Sequence, residues 1–287
     1  MDLWGFAIPA GIYLGMPLLV KFSQKVEAQP QIESIDPSQW PPVVAQTMSR
    51  VEHDLYNLGF TITARYQMVG AVSSTSTILT MLVNYQSGDK AMITAVWGQA
   101  NGVWNLGTHY TEFSTRFADG HCFDTMNSAT LSSFARGPKD IKTQVPQIKE
   151  AAELWSLHRF VMRKHDAQGE KLVYDIAHVR AYFGRIWRES FEEQVGFGRY
   201  NFNGKQFVPS FKGAYLMCWG IMWPMSAIRQ AQLKSKSAAI VSEWKAGAMT
   251  PSPTSQNASP FSNSPQGETP LRASATEENR ILIVPET

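Results

Sequence analysis

The spacing of apolar positions changes character several times along this 287-residue chain, and each change predicts an element. Leu3 to Val20 reads LWGFAIPAGIYLGMPLLV, 18 residues without a charge. As a helix that run is about 27 Å long, close to the thickness of a hydrocarbon core. Pro9 and Pro17 would damage a soluble helix and are better tolerated in a membrane span. The run therefore predicts an N-terminal transmembrane anchor over residues 1–25. A cleaved secretory signal and a buried core helix are the competing readings, and Asp2 stands where a signal peptide wants a cation. Lys21 and Lys25 follow the run and no Lys or Arg precedes it. The charge rule then places the main domain in the cytoplasm, on a protein held in the membrane by one pass or two segments.

After a polar linker at 26–37 the period becomes helical. Asp36 or Ser38 can cap, Pro41 and Pro42 suit a first turn, and Val44, Met48, Val51, Leu55 and Leu58 repeat at threes and fours before Gly59. Alternation then takes over. Strands are expected at Phe60–Val69, Thr77–Tyr85, Lys90–Trp97, Tyr110–Phe117 and His121–Asn127. Gln86-Ser87-Gly88-Asp89 and Ala118-Asp119-Gly120 have the chemistry of hairpin loops. Consecutive hairpins imply an antiparallel meander covered by the preceding helix, an α+β domain over 38–140. Helical spacing returns at 146–165 and again at 170–194, with a break at Asp166–Gly169, which predicts an αα-hairpin over 141–196.

A second apolar run, Gly213 to Ile228, lies between Lys212 and Arg229. Its 16 residues make a short helix that includes Pro224, and Trp219 and Trp223 share a helical face. Region 197–248 is therefore read as a loop and a membrane-interfacial helix, with a second span or a core helix as the alternatives. From 249 to 287 the chain is Ser/Pro-rich and should be disordered, although its closing ILIVP is apolar enough to dock.

Charge and composition narrow the function. Twenty-six Lys and Arg against 24 Asp and Glu leave a net charge of +2, which argues against a nucleic-acid partner. Two cysteines exclude a disulfide scaffold or a four-cysteine zinc site. No His pair at metal spacing, nucleophile elbow, phosphate loop or dinucleotide motif is found, so neither a metal nor a cofactor is expected.

The most specific segment is Glu112 to Gly120. On a strand, Glu112, Ser114 and Arg116 share one face and Phe113, Thr115 and Phe117 the other. The aromatic face should pack on the core. The polar face is either solvated or lines a groove in which Arg116 donates to an anion. Cys122 reads as a half-buried strand thiol, and Cys218 as a packing residue or a palmitoylation site. His158 falls on an apolar helical stripe, where a satisfied core histidine is the ordinary reading. Between Arg159 and Arg188 seven basic residues face three acids. Arg159, Arg163 and Lys164, with Trp219 and Trp223, are the candidate contacts with anionic headgroups.

Two functions compete. The first is a non-catalytic module held at the membrane surface that binds a small ligand or a protein. The second is a membrane-associated hydrolase or transferase using Glu112, Arg116 and His158 across a cleft. The absence of catalytic motifs favours the first. The lipid bilayer is the expected partner in both.

Overall fold

A computed structural model describes residues 4–72, 75–100, 103–174, 176–249 and 281–283. In chain order the elements are α1 (Trp4–Ser23), β1 (Val26–Glu27), β2 (Ile32–Ser34), α2 (Pro42–Asn57), β3 (Thr61–Val72), β4 (Thr75–Asn84), β5 (Asp89–Ala100), β6 (Val103–Phe117), β7 (Cys122–Met126), β8 (Asp140–Gln144), α3 (Ala151–Lys164), β9 (Lys171–Val173), α4 (Val179–Gly196), β10 (Tyr200–Phe202), β11 (Gln206–Pro209), α5 (Phe211–Ile221), α6 (Met225–Met249) and β12 (Ile281–Ile283).

The α+β class and the meander follow the sequence expectation. Strands β2 to β7 pair antiparallel in chain order. The sheet is mixed, however, because β8 joins β7 in parallel. At the C-terminal end of β6, on the edge away from β7, Arg116 and Phe117 pair with Leu172 and Lys171 of β9, and β12 pairs with β9 in parallel. Strands β1, β11 and β10 form a separate small antiparallel sheet. Of the tail expected to be disordered, residues 250–280 and 284–287 lie outside the described residues, while Ile281–Ile283 forms the docked strand.

Alternation along the central strands gives the sheet two buried faces. Ile78 and Leu82 of β4, Ala91, Ile93 and Ala95 of β5, Phe113 and Phe117 of β6 and Phe123 of β7 face one layer. Helices α2 and α3 cover it with Val44, Met48, Leu55, Leu154, Leu157 and Val161. The ring of Phe60 sits between those of Phe113 and Trp155, at 5.5 and 5.3 Å. Helix α2 ends where Gly59 takes φ +83°, a conformation that favours glycine. The other face carries Tyr66, Met81 and Val83, and meets Val179 and Tyr182 of α4.

The expected αα-hairpin does not form. Strand β9 lies between α3 and α4, and the two helices pack on opposite faces of the sheet. The stretch from Lys171 to Val173 has helical neighbours in sequence, but the free end of β6 offers it a ladder. Pairing won over a weak local preference.

The expected membrane anchor is also corrected: among the described residues no helix is long and apolar enough to cross a membrane. Helix α1 lies along α5 instead. Pro17 has no N–H to give the carbonyl of Tyr13 four residues earlier, and the indole Nε1 of Trp219 donates to that oxygen at 3.1 Å. Tyr215 Oη donates to Leu14 O, and the Phe22 and Phe211 rings meet edge-on at 6.5 Å. The second apolar run likewise is no single helix: α5 stops at Ile221 and α6 starts at Met225, so Trp219 and Trp223 do not share a helix. Gly213 lets α5 approach residue 199, since a Cβ there would sit 1.8 Å from Arg199 O.

Phe113 is fully buried at the centre of the larger layer. Phe113→Ala should cost about 3–5 kcal/mol in denaturant unfolding. A loss below about 1 kcal/mol would mean that this layer relaxes around the cavity far more than a close-packed core does.

Candidate functional site

The polar face of β6 opens into a cavity of about 220 Å³ roofed by α4. Glu112, Ser114 and Arg116 line its floor as alternate residues of one strand. Register brings in their neighbours. Lys90 stands opposite Ser114 on β5, and Asp124 opposite Ser114 on β7. Lys142 of β8 is opposite Asp124 and points its Nζ at Glu112 Oε2, 3.9 Å away. Tyr174, Tyr182, Phe183 and Ile186 close the roof. Three cations thus face two carboxylates beneath an aromatic wall.

Burial sets the protonation of this group. It pushes the Glu112 carboxyl up from 4.5 to about 7, opposed by Lys142 and helped by Asp124. It pulls the Lys90 ammonium down from 10.5 to about 8, and Arg116 acts in the same direction. Lys90 Nζ donates to Leu172 O at 2.8 Å and lies 5.4 Å from the Tyr182 ring centre. The Arg116 guanidinium is held loosely, its Nη1 donating to Glu189 Oε2 at 3.4 Å. Near neutral pH the floor therefore has a surplus of positive charge and donors to spare. Cys122, one residue pair along β7, is buried beside Asp124, and both push its thiol well above the ordinary range. Its Sγ donates to Asp124 Oδ1 at 3.5 Å, so it is a strand thiol and not a nucleophile.

Glu112 and Arg116 thus line one cavity, but His158 lies on the opposite face. Its imidazole is fully buried between the hydroxyls of Thr115 and Thr125, each 3.0 Å from a ring nitrogen. Thr115 Oγ1 donates to Asp89 Oδ1 at 2.9 Å, which uses its only proton. It must therefore accept from His158 Nε2–H, leaving Nδ1 to accept from Thr125. Burial brings the ring down from 6.5 to about 4, so it stays neutral in this tautomer. Asp89 also accepts from Trp155 Nε1 and from Lys171 Nζ, each at 2.9 Å. Burial alone would raise its carboxyl; Lys171 and its other partners hold it below the ordinary range. This network fastens α3 and β9 to the β4–β5 turn and presents no open face to a substrate.

The candidate membrane contacts are not brought together either. Arg159 stacks over Trp155 at 5.4 Å, Arg163 is exposed, and Lys164 pairs with Glu243 of α6. Trp219 and Trp223 lie at the other end of α6, with roughly 27 Å of helix between Met225 and Glu243. Cys218 is buried in α5. Among the described residues no group of three His, Cys, Asp or Glu side chains is placed to hold a metal ion.

Sequence reasoning missed Lys90, Asp124 and Lys142. Asp124 was reachable: the Ala118–Gly120 turn fixes Arg116 opposite Cys122, and counting back puts Ser114 opposite Asp124. Lys142 was not, because nothing local announces a parallel strand. A buried pin between α2 and the sheet was missed too. Glu52 accepts from Arg65 Nε and Nη2 and from Thr80 Oγ1, at 2.8–2.9 Å.

The raised Glu112 pKa makes stability pH-dependent. In the unfolded chain the group ionises near 4.5, in the folded chain near 7. Its contribution is fully present below 4.5 and is lost as the pH rises through 7. Glu112→Gln should therefore gain stability over the natural chain, by roughly 2–3 kcal/mol more at pH 8 than at pH 5. Urea unfolding at the two pH values checks this, and an equal difference at both would show that Glu112 titrates normally.

Comparison of the chain with protein-family models, with curated proteins and with solved structures finds no match.

Proposed function

We propose that this chain is a non-catalytic binding module that takes a small aromatic or amphipathic organic anion into the cavity under α4. The carrying observation is the charge balance of that cavity. Lys90, Arg116 and Lys142 face Asp124 and a Glu112 that burial keeps largely protonated up to about pH 7. A carboxylate or phosphate entering between them would meet the Arg116 fork and the Ser114 hydroxyl. Its apolar part would rest on Tyr174, Tyr182 and Phe183. The competing hydrolase or transferase reading needs a base beside Glu112 and Arg116. His158 faces the other layer with both nitrogens engaged, so the binder is the better reading.

The second half of the proposal is attachment to a lipid bilayer, with α1 and α5 lying in its surface rather than crossing it. Leu14, Leu19, Phe22, Ile221 and Trp223 are all more than half exposed on these helices and the turn that follows. An apolar surface of this kind is unusual for a helix pair facing water. Lys21 and Lys212 flank it, as cations do at a headgroup boundary. Arg159, Arg163 and Lys164 would reach the same bilayer only if α6 also lay along it.

Benzoate titrated calorimetrically into the full chain tests the first half. Binding should be tighter at pH 6 than at pH 8, Glu112→Gln should reduce that difference to the part left by Lys90, and Arg116→Gln should weaken binding at least tenfold. Unchanged affinity in Arg116→Gln would sink the cavity reading. For the second half, neutral phosphatidylcholine vesicles should retain the chain, and Leu19→Glu with Trp223→Ala should release it. Release by Arg159, Arg163 and Lys164 changed to Gln instead would move the contact to the α3 face.

A further inference from the structure

A second cavity, about 430 Å³, lies between α6 and the segment that runs from Leu131 into β8. Four cations line it: Arg136, Lys142, Arg229 and Lys236. No Asp or Glu does. Asp124, Asp140 and Glu112 act on Arg136 from the sheet side, but they are not part of the lining.

Both guanidiniums are held in place by carbonyls, which orient them without neutralising them. Arg136 Nη1 donates to Lys142 O at 3.0 Å. Arg229 Nη1 donates to Gly220 O at 2.9 Å, and its Nη2 donates to Ser132 O. Gly220 leaves room for this, since a Cβ there would sit 2.6 Å from Arg229 Nη1. Lys142 has its nearest carboxylate, Glu112, at 3.9 Å, and burial pushes that group toward the neutral form. Ser132 and Ser237 also belong to the lining. Edge strand β8 is covered by α6, fastened by Ser237 Oγ donating to Gln147 Oε1 and Gln147 Nε2 donating to Ser237 O. The groove is therefore a built feature of the α6–sheet junction and not a gap between mobile chains.

We propose that this groove is a site for a phosphate group. Lys142 lines the groove with its stem and turns its Nζ toward Glu112, so the cations that face the space are Arg229 and Lys236 from α6 and Arg136 from the segment before β8. Cations from two walls suit a tetrahedral dianion with acceptor oxygens on every side. A planar carboxylate would engage only a fork on one side. The phosphate could belong to a free anion or to a lipid headgroup. Location favours the headgroup. Arg229 ties the groove to Gly220 of α5, and the exposed Ile221, Trp223, Met225 and Ile228 surround that junction. A phospholipid with its phosphate in the groove would lay its acyl chains on the α1–α5 surface. The lipid arm rests on the membrane reading above; the phosphate site does not.

Two probes separate the cases, with the full chain in each. The first is vesicles of phosphatidylcholine alone or mixed with phosphatidic acid, read by co-sedimentation. The second is inorganic phosphate, read by calorimetry. Phosphatidic acid should increase vesicle binding at least tenfold. Lys236→Glu, on an exposed stretch of α6, should remove that increase and leave binding to pure phosphatidylcholine unchanged. Arg136→Gln should act in the same direction, and Arg116→Gln, in the other cavity, should not. If phosphatidic acid adds nothing but phosphate binds and is lost in Lys236→Glu, the site takes a free anion and the headgroup assignment is wrong. If neither Lys236→Glu nor Arg136→Gln changes either probe, the proposal is overturned. Loss of binding to pure phosphatidylcholine in Leu19→Glu tests only the apolar surface, so the two readings fail separately.

Discussion

Strand β6 has to satisfy two layers at once, and the rest of the molecule is arranged around that requirement. Its odd-numbered residues from 111 to 117 are buried against α2 and α3, while Glu112, Ser114 and Arg116 face α4. A strand at the centre of a sheet cannot move one face without moving the other. Fixing Phe113 and Phe117 in the apolar layer therefore fixes the carboxylate and guanidinium beneath α4. Most antiparallel sheets leave such a polar face in water. Here α4 covers it, and the raised Glu112 and lowered Lys90 pKa values are the direct result of that cover.

The cover costs free energy, and the opposite layer shows how the fold offsets a similar cost. Asp89 and His158 are both fully buried, yet each polar atom has a partner of the right kind: Thr115 between them, Thr125 on the far nitrogen, Trp155 and Lys171 on the carboxylate. A network satisfied at every member specifies one arrangement of its elements. Around Glu112 the accounting is different. Its closest cation is 3.9 Å away, beyond hydrogen-bond reach, and Arg116 has one long contact. Unsatisfied capacity beside fully satisfied capacity in the same sheet is the ground on which a ligand is proposed under α4, where a structural pin would have none left over.

Much of this was legible in the chain. The two-fold alternation of Glu112–Phe117 assigned both faces correctly, because a period-2 pattern with aromatics on one side has only one way to sit on a core. The hairpin loops held for the same local reason: Gly88 and Gly120 both take positive φ where the turns require it. What failed was whatever depended on a distant partner. Lys171–Val173 is a strand only because β6 runs on past the start of β5, and Asp140–Gln144 only because β7 has an open edge. Neither segment carries a pattern of its own. With β9 between them, α3 and α4 were sent to different layers, and a hairpin inferred from sequence adjacency was bound to be wrong. His158 was legible as a core histidine from its place on an apolar stripe, but its hydroxyl partners sit on β6 and β7 and could not be found by helical spacing.

The apolar runs show most clearly why each had to be read against the other. Taken alone, Leu3–Val20 reads first as a span, with a cleaved signal or a core helix as competitors, since all three want an uncharged run. Backbone accounting shows where the run docks. A proline at position 17 leaves the Tyr13 carbonyl without its helical donor, and an unpaired carbonyl away from water is costly. In α1 that oxygen is met by the indole of Trp219, and the next carbonyl by the hydroxyl of Tyr215. The proline that looked like a tolerated defect of a membrane span is therefore half of a contact whose other half lies two hundred residues away. The Trp219 indole N–H is consequently committed to α1 while the residue stays 39% exposed, and Trp223, beyond the end of α5, is 77% exposed.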